Sequence, residues 1–235
     1  MSRHLWGIVL LTLAAVTLPR PVESAVALEV TPRAVIQGQA IRIRIRTDAP
    51  PAAVRLVVGG RAVPLYRRAG GYQAFAGTSP LTKPGILTVQ VVVSEPGGRR
   101  TASAQVVVRA GAFGVRRLRV PPALLDPALV ERERRRLAAA TARPLLNPLW
   151  SGPFRRPVEG LVTSGYGIRS IYNGVPRGYH LGVDFRASAG TPVRAAHRGW
   201  VTLAEELPLS GKTVVLDHGA GIFTTSGLML AHTES

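Results

Sequence analysis

The sequence predicts a mainly β protein, built as two β domains joined by a short helical segment. Three observations carry that prediction. From about Ala27 to Arg109 apolar and polar residues alternate in short runs separated by glycines, with no helical period. A helix-forming run follows, opened by the pair Asp126-Pro127. From Pro157 onward short apolar runs and glycine turns return.

Ahead of the first domain stands a leader. "MSRH" is basic, Leu5–Leu18 is apolar, and "PRPVESAVA" offers small residues at Val22-x-Ser24 and Ala25-x-Ala27. This is the pattern of a cleaved signal peptide over residues 1–27. The apolar run falls short of the roughly 20 residues that span a bilayer, so the mature chain has no transmembrane span; an uncleaved anchor is the alternative. The chain is therefore expected outside the cytoplasm, in the periplasm or cell envelope. Its formal net charge of +17 comes almost wholly from arginine, since Lys83 and Lys212 are the only lysines. Codon bias accounts for such a balance, and so does a polyanionic partner. Export removes nucleic acid from the candidate partners and leaves an anionic membrane or a cell wall. With no cysteine, disulfides and thiolate metal ligands are excluded, and any metal must use histidine and carboxylates.

Residues 28–110 read as the first domain. "AIRIRIRTD" sets Ile41, Ile43 and Ile45 against Arg42, Arg44 and Arg46, one apolar and one charged face of a strand. "VRLVVGGRAVPLY" reads as a hairpin turning at Gly59-Gly60, and Glu95–Gly98 ("EPGG") as the turn between two further strands. Short strands at this spacing predict a small β-sandwich of immunoglobulin-like type. It holds no histidine and no acidic cluster, so a binding or spacer role is expected. Residues 111–152 read as a helical and Pro-rich linker, its helix running from Pro127 to about Ala142. The arginines at 132, 134, 135 and 136 are interrupted by Glu131 and Glu133, which reads as a solvated face. Pro144, Pro148, Pro153 and Pro157 mark a rigid extended lead-in to a second β domain at 153–235, where "TPVRAAHRGWVTLAEE" and "KTVVLDHGAGIFTT" are the clearest strand sequences.

All histidines beyond the leader lie in the C-terminal half: His180, His197, His218 and His232. Histidine is the commonest metal ligand, and a hard carboxylate such as Asp184 can complete a zinc site. On a strand, the even offset between His180 and Asp184 allows both side chains to point to the same side, with Gly182 adding no bulk. A catalytic zinc takes three protein ligands and an open position for water. Taken alone, the His-x-x-x-Asp spacing is common by chance and reads more readily as a polar loop with a satisfied histidine.

The surroundings change that balance. Thr163–Arg169 ("TSGYGIR"), His180–Asp184 ("HLGVD"), Gly190–Val201 ("GTPVRAAHRGWV") and Asp217–Gly221 ("DHGAG") follow one another in order. Together, over about Trp150–Thr225, they resemble the core of the lysostaphin/LytM-type zinc metallopeptidases. The resemblance implies an antiparallel β core, Zn2+ held by His180 and Asp184, and cleavage of peptide bonds in peptidoglycan cross-links. It gives His218 a structural or outer hydrogen-bonding part and His197 a surface position. After Thr225 the likeness ends. Ser226 and Leu228 stand where the family has an aromatic residue and a histidine, His232 comes four residues late, and no His-x-His occurs anywhere in the chain. The core is thus expected to be incomplete, a truncated or frame-shifted copy with the third zinc ligand absent, no assignable catalytic residue and impaired activity. Peptidoglycan, and possible contact with other cell-wall hydrolases, are the expected partners. The competing expectations are a non-catalytic LytM-like regulator and an envelope-binding module.

Overall fold

A computed structural model describes residues 26–48 and 50–228. Residues 1–25 of the expected leader and His232 lie outside the described residues, while Ala27, the last residue of that leader, opens the first strand and pairs with Arg46. The chain is mainly β. Strands β1 (Ala27–Thr31), β2 (Ala34–Ile36), β3 (Ala40–Arg46), β4 (Ala53–Val58), β5 (Arg61–Val63), β6 (Tyr66–Arg68), β7 (Gly71–Gly77), β8 (Gly85–Glu95) and β9 (Gly98–Arg109) form two sheets. Their orders are β1-β3-β7-β6 and β2-β9-β8-β4-β5.

The isoleucines of β3 face inward, with Ile41, Ile43 and Ile45 at 1%, 0% and 0% exposure, against Val89, Val91 and Val93 of β8 and Val106 of β9. Each such side chain contributes about 1.5–3 kcal/mol by leaving water. The intervening arginines take the opposite face, as the pleat requires. Both expected hairpins form: β4 pairs with β5 across Gly59-Gly60, and β8 with β9 across the "EPGG" turn.

Strand β10 (Val115–Leu118) follows, then helix α1 (Pro127–Ala140), whose Asp126 side chain accepts from Ala128 N at 2.9 Å. The cap and the first-turn proline stand where the sequence placed them, and the helix ends two residues early. The remaining strands are β11 (Val162–Ser164), β12 (Arg169–Tyr172), β13 (Val175–Tyr179), β14 (Asp184–Phe185), β15 (Trp200–Leu207), β16 (Gly211–Asp217) and β17 (Phe223–Leu228). They form β10-β12-β13, β11-β14 and the antiparallel β15-β16-β17. "TPVRAA" is not strand; only its continuation from Trp200 is.

The segment read as a linker does more than connect. β10 pairs in parallel with β12, so it belongs to the C-terminal sheet system. Leu137 and Ala140 of α1 pack on Leu203, Leu207 and Val215. Glu133 is 6% exposed and accepts hydrogen bonds from Leu209 N (2.7 Å) and the Ser210 hydroxyl, which locks the helix onto the β15–β16 turn. Only part of the arginine face is simply solvated, because Arg136 reaches across to Glu205. The Pro-rich lead-in is also bound. Leu145 N donates to Asp217 Oδ2 (2.6 Å), Leu149 N to His218 O (2.7 Å) and Ala220 N to Leu145 O (2.8 Å). Gly219 has φ +80°, and a Cβ there would run into the Asn147 carbonyl, so the turn after β16 needs glycine at this place.

The sandwich meets the rest of the chain along one face. Tyr66 is buried with its hydroxyl against Gly221, Phe75 stands against Trp150, and Gly38 lies under the Tyr166 ring. Burial, and secondarily the charge of Asp217, push the Tyr66 phenol above its ordinary pKa.

Candidate metal centre

His180 follows β13 directly, and its backbone is pinned to the approach of β12: Gly167 N donates to His180 O (2.7 Å) and His180 N to Ile168 O (2.8 Å). Asp184 opens β14, opposite Ser164 of β11. Arg186 N donates to Leu161 O (2.8 Å) and fixes the same short ladder. The two residues therefore do not share a strand. The chain bends over residues 181–183 between β13 and β14, and the bend, not an even offset along one strand, turns both side chains together. His180 Nε2 and Asp184 Oδ1 are 3.1 Å apart, the histidine side chain 15% exposed and the aspartate 40%.

The other ring nitrogen is already engaged. His180 Nδ1 lies 3.0 Å from Gly165 O and 3.2 Å from Ser164 Oγ. With its proton on Nδ1 the ring donates to the Gly165 carbonyl and Nε2 presents a lone pair beside Asp184, two donor atoms that a metal ion can share; with its proton on Nε2 the ring donates to Asp184 and Nδ1 accepts from the Ser164 hydroxyl. An imidazole whose far N–H is held by a carbonyl is the usual state of a metal-binding histidine. Leu181 and Val183, in the bend, are exposed, so the polar pair is flanked by apolar surface.

Among the described residues no group of three His, Cys, Asp or Glu is placed to hold a metal ion. His218 is fully buried, with Nδ1 2.8 Å from Arg198 O, Nε2 2.8 Å from Thr224 Oγ1, and the Phe154 ring edge-on at 4.9 Å. Both of its nitrogens are spent on structure. His197 is half-buried and not the surface residue expected: its Nε2 lies 2.9 Å from Ser151 O and Phe154 covers its ring. Three groups at the site carry no part in the sequence reading. Ser164 and Gly165 lie inside the "TSGYGIR" motif, and Arg116 comes from β10. Arg116 donates from Nε to Ser170 Oγ (3.0 Å) and from Nη1 to Ser164 Oγ (3.1 Å), with Nη1 also 3.6 Å from Asp184 Oδ2.

Fold and site together give a set of small β-sheets carrying a histidine–carboxylate pair, behind a two-sheet β domain. Residues 178–233, which include His180 and Asp184, match the model of peptidase family M23. The match lies in the C-terminal part of the chain and takes in the bend between His180 and Asp184. A solved peptidase M23 structure from Pseudomonas aeruginosa is similar at TM-score 0.52 and 23% identity, over 81% of this chain and 71% of that one. A polysaccharide lyase structure is similar at TM-score 0.33 and 14% identity, over 53% of this chain and 15% of that one. A chimeric titin Z1Z2 is similar at TM-score 0.28 and 20% identity, over 33% and 86%. No curated protein matches the chain. No helix among the described residues is long and apolar enough to cross a membrane.

Proposed function

We propose that the chain is an exported metalloendopeptidase-family protein directed at the cross-link peptides of peptidoglycan, with His180 and Asp184 as two ligands of a Zn2+ ion. The observation that carries this reading is the 3.1 Å approach of His180 Nε2 and Asp184 Oδ1, with Nδ1 committed to a carbonyl. A nitrogen and a carboxylate oxygen are the donors zinc takes in the absence of thiolates. When bound, zinc would polarise the scissile carbonyl and lower the pKa of the attacking water. His180 would donate its Nε2 lone pair, Gly165 would hold the ring, and Asp184 would supply the anionic oxygen. The described residues furnish two of the three protein ligands a catalytic zinc takes. In the same reading the sandwich of residues 28–110 precedes a peptidase core that, besides residues from 153 on, takes in β10 and α1 of the segment 111–152. The surplus of arginine suits anionic envelope polymers.

A second reading, a non-catalytic LytM-like regulator or envelope-binding module, is favoured by that count of two donors. Purified full chain assayed for bound zinc and for digestion of isolated sacculi separates the two. Stoichiometric zinc with release of cross-link peptides supports the enzyme. A metal-free chain that leaves sacculi intact but stimulates a partner hydrolase overturns it.

A further inference from the structure

Arg116 belongs to a segment that sequence reasoning left as a connector, yet its guanidinium closes a ring around the metal pair. Parallel pairing of β10 with β12 sets Arg116 opposite Ser170, which is 4% exposed. Nε donates to that serine at 3.0 Å, which fixes the plane of the guanidinium. Nη1 then reaches Ser164 Oγ at 3.1 Å and Asp184 Oδ2 at 3.6 Å. Ser164 Oγ stands 3.2 Å from His180 Nδ1, and His180 Nε2 stands 3.1 Å from Asp184 Oδ1. The circuit runs from Arg116 through Ser164, His180 and Asp184 back to Arg116.

We propose that Arg116 is a positioning residue of the metal centre: it holds Asp184 by Oδ2 and Ser164 by Oγ, so that Oδ1 and Nε2 converge on one cation. This rests on the reading of His180 and Asp184 as metal ligands. A carboxylate 40% exposed is otherwise free to rotate and to trade its partner for water. A planar guanidinium can serve two serines and a carboxylate at once; an ammonium on a flexible stem cannot. The positive charge of Arg116 opposes a dication, so its contribution is geometric, and charge and geometry are separable by substitution.

The test uses the full chain. Zinc affinity is measured by competition with a chromophoric chelator, and the Co2+-loaded protein is followed by its visible absorption. Arg116→Lys keeps the charge and loses the fork; Arg116→Met loses both. Both variants are expected to bind zinc about 10- to 100-fold more weakly, the range for removal of a group that orients a metal ligand. Their Co2+ spectra should change, with circular dichroism as for the parent. Arg117→Lys, next on the strand and exposed, should change neither readout. Parental affinity and an unaltered Co2+ spectrum in Arg116→Lys would overturn the proposal, as would tighter binding by Arg116→Met. Should Arg116→Met fail to fold, Arg116→Lys decides alone. A parent chain that takes up neither metal defeats the ligand reading and this proposal with it, whereas metal uptake by the parent and by Arg116→Lys alike defeats only the role of Arg116.

Discussion

Phe75 of the sandwich and Trp150 of the Pro-rich lead-in stand with ring centroids 5.9 Å apart and planes tilted by 58°. Trp150 passes the contact on to Phe154 (6.0 Å), and Phe154 to the buried ring of His218 (4.9 Å). A line of aromatic contacts thus runs from the face of one domain to the buried turn after β16 in the other. It explains why the lead-in is docked although its prolines forbid helix and strand alike.

Phe75→Ala is expected to destabilise the chain by about 2 kcal/mol, below the 3–5 kcal/mol of a fully buried phenylalanine because this ring is only half-buried. A double-mutant cycle with Trp150→Ala in urea should return a coupling of about 0.5–1.5 kcal/mol. Additive losses would mean that the two rings touch without stabilising the junction.

Glu133 and Arg134 are neighbours on α1 with opposite expected outcomes. Glu133→Ala strands Leu209 N and the Ser210 hydroxyl beside a buried site and should cost about 1.5–3 kcal/mol. Arg134 pairs with Glu131 in solvent, and Arg134→Ala should leave stability nearly unchanged. Equal effects in chemical denaturation would contradict the view that α1 is clamped through its one buried carboxylate.

Local chemistry was legible in the sequence, and non-local pairing was not. Ile41, Ile43 and Ile45, the Gly59-Gly60 hairpin and the Asp126-Pro127 helix start each follow from a few adjacent residues. His180 and Asp184 became legible only through the order of the motifs around them, because a three-residue bend and not a strand brings them together. Arg116 gave no signal. Its part depends on a parallel pairing with β12, more than 50 residues along the chain, and its own neighbours "VRRLR" fall in the stretch that reads as a linker. His218 was read as structural, but its full burial rests on Arg198, Thr224 and Phe154 from three separate segments.

The hydrogen bond and charge of Arg136 hold the Glu205 carboxyl below its ordinary pKa. A lowered folded-state pKa means that the contribution is present above the unfolded value, about 4.3, and is lost as pH falls through the folded one. Carbon-detected NMR titration should therefore place the Glu205 midpoint below that of a free glutamate. Arg136→Gln should move it back toward the ordinary value, while Glu131, paired with Arg134, stays low. An unmoved Glu205 midpoint in Arg136→Gln would remove the cross-element ion pair as the cause.

Asp184→Asn tests the metal pair without changing its shape. In the tautomer a metal ligand needs, Nδ1–H of His180 is given to Gly165 and the Nε2 lone pair faces an acceptor in the metal-free parent chain. A carboxamide places an N–H donor there instead, so the metal-free variant should be at least as stable as the metal-free parent. Zinc binding should fall by more than the roughly 100-fold that bounds loss of a merely orienting group, because a ligand has been removed. Thermal melts of the metal-free proteins and chelator competition measure the two effects separately. Unchanged zinc affinity would show that Asp184 is not a ligand. A destabilised metal-free variant would show instead that Asp184 is held as a hydrogen-bond acceptor of the His180 ring.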